Sequence, residues 1–388
     1  MRLIRTGVVG AALLLLASAC QPAPVGRWAY VTPPPQALAN PTTATVLDSG
    51  RVLVTSAGIP GAVFRYDPSS DRWLATAPMR GWHRDHVAVL LRDGRVLVVG
   101  GCSASELFSP TTVAWTSIAR TPADCWEHTQ GTRLADGRAL VATARPFTVS
   151  VDSWQLQGDI YDPVANRWTS TPALRLPRMP PLDDDVFHYE SEGWRLRSLT
   201  TSGSKTLAVV AAVLDEQYLD ACDPDGYCSA DEVGTRVLAA VYDASTGAWT
   251  NLGRPPGIGA GATSTLLTSG RILLTGGFQH ESRFGRGISD AAVTWDPSTR
   301  QWAERPPMSD ARNGHVAVRL ADGRVLITGG DSYNGEPPEL YVPTSSSATW
   351  APAARPGRHR NDPHALLLKD GRVLVLGGGS DTAEVFTP

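Results

Sequence analysis

The chain has 388 residues, 42% hydrophobic and 19% charged, with 37 Gly, 30 Pro and 12 Trp. Its 35 Lys and Arg against 38 Asp and Glu leave a net charge of −3, which excludes the basic footprint of a nucleic-acid binder and the acidic bias of a disordered tail. So much Gly and Pro without a collagen period excludes long helices and points to short strands joined by many turns.

Arg2 and Arg5 precede an apolar run from Gly7 to Ala19 that is too short to span a bilayer and ends in small residues, the form of a secretion signal. Leu16-Ala17-Ser18-Ala19-Cys20 resembles a bacterial lipobox, which implies cleavage before Cys20 and a diacylglycerol on its thiol. Ala17 stands where Leu is commoner, so an ordinary secreted protein cut nearby is the alternative. On the lipoprotein reading, residues 1–19 are the signal peptide, 20–25 a lipidated tether and 26–388 the folded domain. That domain is expected outside the cytoplasm as a monomer, held at a cell membrane or outer membrane by its lipid alone.

One pattern then recurs to the end of the chain. Its first half is an apolar strand, a Gly-Arg turn, a second apolar strand and often a Gly pair. Copies run over residues 45–54, 87–101, 133–141, 264–277, 316–330 and 365–378, with a weaker one over 199–214. Asp-Gly supplies the positive φ of a tight hairpin, expected here with two loop residues. The second half is an aromatic, a turn and a Trp, as in Tyr66-Asp67-Pro68 to Trp73, Tyr161-Asp162-Pro163 to Trp168 and Tyr341-Val342-Pro343 to Trp350. Each unit therefore reads as a four-stranded antiparallel sheet.

The combination of DGRVLVVGG and YDPxxxxW resembles the Kelch repeat of the galactose oxidase central-domain superfamily. It implies an all-β, seven-bladed β-propeller with four antiparallel strands per blade. The last unit reaches only its third strand at Glu384–Pro388, and Arg27-Trp28 repeats the Arg-Trp of fourth strands at Arg72-Trp73 and Arg167-Trp168. Residues 26–36 are thus expected to complete the blade begun at 363–388 and close the ring. Seven units share the mature chain at about 53 residues each, against about 50 for a Kelch repeat.

In such blades the tight turns lie on one face, while the loops between strands two and three and the crossings between blades lie on the other. The long stretches 145–157, 171–193, 214–233, 278–290 and 331–338 all fall on this crossing face, where function is expected. Its inner rim collects Trp82, His83, Arg84, Asp85 and His86; Trp126, Glu127 and His128; Asp183 to Asp185 with His188; Arg312 and His315; and His359, Arg360 and His364. Seven of the eight His are in this group, and the eighth, His280, is in a loop of the same face. Imidazole, guanidinium and indole together suit an anionic ligand such as a sugar acid or a carboxylate side chain. Part of this set, including His86 and His315, belongs to the repeat and has a structural reading. Trp82, His83, Trp126, Glu127, His280, His359 and Arg360 read as lying outside the repeat and are the stronger candidates for function.

With Cys20 lipidated, four cysteines are left for disulfides, most simply Cys102–Cys125 and Cys222–Cys228. Asp223, Asp225, Gly226 and Glu232 match positions three, five, six and twelve of a calcium loop, but Ala221 cannot ligate at position one. Calcium is the one cofactor weighed, beside a plain acidic loop.

Three functions compete: a non-catalytic module binding a protein or glycan of the envelope, a carbohydrate-active enzyme, and a structural envelope protein. The resemblance implies two enzyme types. A galactose oxidase-like copper site needs Tyr, His and a Cys-Tyr crosslink; a sialic acid mutarotase-like site needs only acid-base residues, for which Glu127, His86 and Arg84 are candidates. No nucleophile motif, phosphate loop or HExxH is present, so no catalytic residue is assigned and the binding module is favoured.

Overall fold

In a computed structural model, the residues described are 23–35, 42–56, 62–81, 83, 85–100, 104–122, 129–146, 154–177, 186–191, 194–222, 228–282, 285–332 and 337–388. Of 42, 62, 146, 186–191, 212–222, 228–235, 280–282, 285–286 and 332 only the backbone is described. Among these residues there is no helix, and so none long and apolar enough to cross a membrane.

The strands form seven four-stranded antiparallel blades, the expected propeller. The innermost strands are Thr42–Val46, Val87–Leu90, Gln130–Arg133, Arg195–Ser202, Thr263–Leu266, Val316–Arg319 and Pro363–Leu367. Each touches the next around the ring, and the last touches the first. Arg27–Val31 pairs antiparallel with Ala383–Thr387, so the N-terminal strand supplies the fourth strand of blade seven.

The core lies between blades. Seven clusters of buried side chains each join two neighbours, as Leu53 of blade one meets Phe108 and Trp115 of blade two. Second strands such as Val96–Val99 and Val325–Thr328 are buried along their whole length because a sheet packs on both faces, so they read as continuous apolar runs. Near the axis the wedge narrows. The residue three before the Leu that ends each inner strand is accordingly small: Ala44, Ala88, Gly131, Ala317 and Ala365, with Ser264 in blade five. A Cβ on Gly131 would lie 2.8 Å from Val89 Cγ2 and 3.0 Å from Val87 Cγ2 of the preceding blade.

The Gly-Arg turns differ from expectation by one residue. Leu91 N–H donates to Arg95 O and Gly94 N–H to Leu91 O, so the loop is Arg92-Asp93-Gly94, with Gly94 left-handed at φ 83°. This is a three-residue loop ending in a Gly bulge, and it recurs in six blades. Blade four alone uses a two-residue connection, Gly203-Ser204 between Ser202 and Lys205. Its inner strand begins at Arg195, earlier than the weak repeat indicated.

Several stretches expected to be irregular loops are extended strands. Lys205–Cys222 and Cys228–Asp243 pair as one long ribbon, with Val186–Ser191 added to its side, and Phe278–Ser282 pairs with Gly285–Ile288 as a hairpin inserted in blade five.

Candidate functional site

Beneath the crossing face, three blades repeat one buried pairing of a carboxylate with a basic side chain. Glu106, Glu339 and Glu384 each stand two residues before the strand-three aromatic, Phe108, Tyr341 or Phe386. His83, Arg312 and Arg360 each stand eight residues before the Leu that ends the inner strand, Leu91, Leu320 or Leu368. His83 Nε2 is 3.1 Å from Glu106 Oε1, Arg312 Nη2 3.8 Å from Glu339 Oε1, and Arg360 Nη2 3.4 Å from Glu384 Oε2. The carboxylates also accept backbone N–H groups of the crossings: Arg80 and Gly81 at 3.0 and 2.6 Å on Glu106, Ser309 at 2.9 Å on Glu339, and Gly357 at 2.7 Å on Glu384. Each acid thus pins a crossing to its blade, while the cation compensates its burial. Burial alone would raise the Glu106 carboxyl, but the bonds from His83, Arg80 and Gly81 outweigh it and hold the group below its ordinary value. The other ring nitrogen of His83 lies 3.0 Å from Gly100 O, so both nitrogens meet oxygen atoms of the same blade.

His83 and Arg360, expected to stand outside the repeat, therefore occupy one repeated position with Arg312. All three are at most 3% exposed, below the rim and not on it. His86 and His315 are buried as well, each gripping a cross-strand Thr pair of the preceding blade. His86 Nε2 lies 2.6 Å from Thr55 Oγ1 and 3.4 Å from Thr43 Oγ1; His315 Nε2 lies 2.8 Å from Thr275 Oγ1 and 3.2 Å from Thr263 Oγ1. Burial pushes His86 down to about 4 and His315 to about 3, so both are neutral at pH 7. His364 is half-buried on the innermost strand of blade seven.

Among the described residues, blades six and seven leave several polar side chains exposed on this face. Arg358 and His359 are exposed, with His359 Nε2 3.0 Å from Gly330 O, and Asn361 Nδ2 donates to Asp331 Oδ1 at 2.7 Å. Asp362 is left-handed at φ 48° and its N–H donates to Gly314 O at 3.0 Å. Beside them a cleft of about 580 Å³, its open mouth included, runs between the two blades. Trp28, Arg312, Arg355, Arg358, His359 and Arg360 line it together with four prolines.

Trp82, Arg84, Cys102, Cys125, Trp126, Glu127, His128, Asp183 to Asp185, Asp223, Asp225 and Cys20 lie outside the described residues. For His188, His280, Cys222, Cys228 and Glu232 the backbone alone is described. Cys222 and Cys228, expected within a loop, are cross-strand partners where the blade-four ribbon ends. Glu232 sits on a strand of that ribbon opposite Asp215, a place unlike position twelve of a loop that wraps calcium.

Among the described residues no three His, Cys, Asp or Glu are grouped to hold a metal. A copper site of the oxidase kind would also need Tyr beside His. Tyr66 donates its hydroxyl to Asp71 and Tyr161 to Asn166, both in tight turns at the far end of the blade from His86 and His359.

No family model matches the chain. It is 31% identical over 138 residues to an F-box/kelch-repeat protein of Arabidopsis thaliana, over 29% of this chain and 34% of that protein. It is 25% identical over 365 residues to galactose oxidase of Gibberella zeae, over 82% of this chain and 47% of the oxidase, so it spans about half the length of that relative. Its fold matches a fungal alcohol oxidase of the AA5 family in complex with copper at a TM-score of 0.62 and 17% identity, over 94% of this chain and 76% of the other. The fold is a seven-bladed β-propeller, and in sequence the chain is similar to Kelch-repeat and galactose oxidase proteins.

The repeat separates scaffold from surface. A fourth-strand Trp ties its blade to the one before in several blades: the indole N–H of Trp28 reaches Ala354 O, of Trp73 Thr32 O, of Trp115 Ala77 O and of Trp350 Pro306 O, at 2.7 to 2.8 Å. The three buried Glu are functional parts of the scaffold that reading the sequence missed. Their signal was present, an acid two residues before the aromatic in three copies of the repeat, but it emerges only when the third strands are aligned.

Proposed function

We propose that this propeller is an exported, lipid-anchored and non-catalytic binding module that holds a protein or glycan through its crossing face. The observation that carries the reading is the cleft between blades six and seven, where exposed Arg358 and His359 and the indole of Trp28 surround a concave space. The opposite face gives a contrast. Its turn charges satisfy one another, as Asp93 with Arg95, Asp136 with Arg138, Asp322 with Arg324 and Asp370 with Arg372, each pair at 2.6 to 2.7 Å. An array of glycans and envelope proteins tests the proposal with the purified protein. Binding without turnover, weakened by Arg358→Ala, supports it; binding that survives every exposed substitution of the crossing face sinks it.

A second reading, a carbohydrate-active oxidase, is favoured by the names of the two oxidases to which the chain is similar. Copper in stoichiometric amount by elemental analysis, with peroxide released from primary alcohols, would establish that reading in place of the first.

The membrane anchor is part of the proposal. Cys20→Ser is expected to move the protein from the membrane to the soluble fraction, and an unmodified Cys20 in the mature N-terminal peptide would overturn it.

A further inference from the structure

We propose that the cleft between blades six and seven is a subsite for a hexuronate, an acidic pyranose whose carboxylate is held by guanidinium and whose ring lies on Trp28. The proposal rests on reading the crossing face as a binding surface and names the ligand class of one place on it.

The cleft combines three properties. Its floor is charged and rigid: Arg312 and Arg360 are each 3% exposed, with Glu339 behind the first and Glu384 behind the second. Arg360 is fixed further by Gly377 O at 2.9 Å and Thr382 Oγ1 at 2.8 Å, yet its Nε, buried in the wall, has no hydrogen-bond partner. Such an orphaned donor is costly unless something satisfies it. Its mouth carries Arg355, Arg358 and His359, and among the described residues no acidic side chain is in the lining. The lining is thus positive, in a protein whose net charge is −3. A guanidinium fork suits a planar carboxylate.

The remaining wall is flat and apolar. Trp28 is held on both sides, by its indole N–H on Ala354 O at 2.7 Å and by Phe386 at 5.2 Å between ring centroids, so its orientation is set before any ligand arrives. Pro337 is fixed by the guanidinium of Arg312, which donates to its carbonyl at 2.5 Å. A rigid indole and proline rings match the C–H face of a sugar ring; an Asp or Glu side chain offers no such face. A dianionic phosphate fits less well, because Glu339 and Glu384 stand directly behind the floor cations.

Calorimetric titration of the full-length protein in detergent tests the subsite with four probes: glucuronate, glucose, glutarate and inorganic phosphate. Glucuronate is expected to bind about tenfold more tightly than the other three, a difference of about 1.4 kcal/mol. Arg358→Ala with His359→Ala, both at exposed positions, is expected to weaken glucuronate about tenfold while leaving the melting temperature unchanged. Equal binding of glutarate or phosphate would show that the ring wall does nothing and overturn the proposal, as would unchanged affinity in the double variant or no glucuronate binding at all. If glucuronate fails while an array ligand still binds the crossing face, the subsite is wrong and the binding-module reading stands; if nothing binds that face, the broader reading has failed.

Discussion

The indole of Trp28 rests on the ring of Phe386, with centroids 5.2 Å apart and planes inclined at 49°. The pair joins opposite ends of the chain and reproduces what other blades make locally, as Phe108 with Trp115 at 5.1 Å and 48°, and Tyr161 with Trp168 at 5.1 Å and 46°. Ring closure therefore uses the same joint as the interior of each blade. Trp28→Ala is expected to lower stability by about 3 kcal/mol. Hydrogen exchange should then rise along Ala383–Thr387 before other third strands, and uniform exchange in all blades would show that closure is not the weak point.

Breaking one buried bridge should cost more than removing it whole. Arg360→Met leaves Glu384 buried without its cation, and a loss of about 3 to 5 kcal/mol is expected. The double variant Arg360→Met with Glu384→Leu should lose clearly less than the sum of the single losses in denaturant unfolding. Strict additivity would mean that the two groups do not compensate each other.

Acid should destabilise the fold through its buried histidines, His86 and His315 among them. His86 and His315 have folded values of about 4 and about 3, below the ordinary value near 6.5. The neutral native form is thus favoured, and their contribution is fully present above pH 6.5. It is lost as pH falls, over 6.5 to about 4 for His86 and to about 3 for His315. Urea midpoints measured from pH 7.5 to 4.5 should drop, and His86→Gln should flatten that slope. An unchanged slope in the variant would assign the loss to other groups.

Gly131 faces Val87 and Val89 where the wedge between blades two and three is narrowest. Gly131→Val is expected to cost about 1 to 3 kcal/mol by overpacking, read as a lower thermal midpoint. A neutral result would mean that the inner strands can separate without loss.

Cys222 and Cys228 are direct cross-strand partners, and antiparallel partners lie within the Cα separation that a disulfide spans. A non-reducing peptide map is expected to show the two linked. A peptide joining either of them to Cys102 or Cys125 would refute this pairing.

The parts of the fold legible in the sequence are those whose partners are close along the chain. The Asp-Gly-Arg turn is closed by bonds between residues three and four apart, as Leu91 with Gly94 and Arg95, and the aromatic-Trp joint spans seven. Local chemistry of this kind repeats visibly, so seven blades, the strand order and the closing N-terminal strand could be read from it. Blade four escaped because its turn lacks the Asp-Gly-Arg signature and its ribbon outgrows the repeat.

The roles of the polar residues were decided only by tertiary structure. His83 and Arg360 look like ligand groups in sequence because imidazole and guanidinium serve a buried carboxylate and a bound anion equally well. What assigns them is the acid each meets, Glu106 or Glu384, in a strand that the fold lays beside them. The cleft is a stronger case, since Trp28 and Arg358 become neighbours only when the ring closes. Sequence determined the scaffold because backbone turns and strand pairing depend on neighbours along the chain. Which side chains are sealed in as struts and which are left to face a ligand depends on burial, and burial exists only once the blades are packed around their axis.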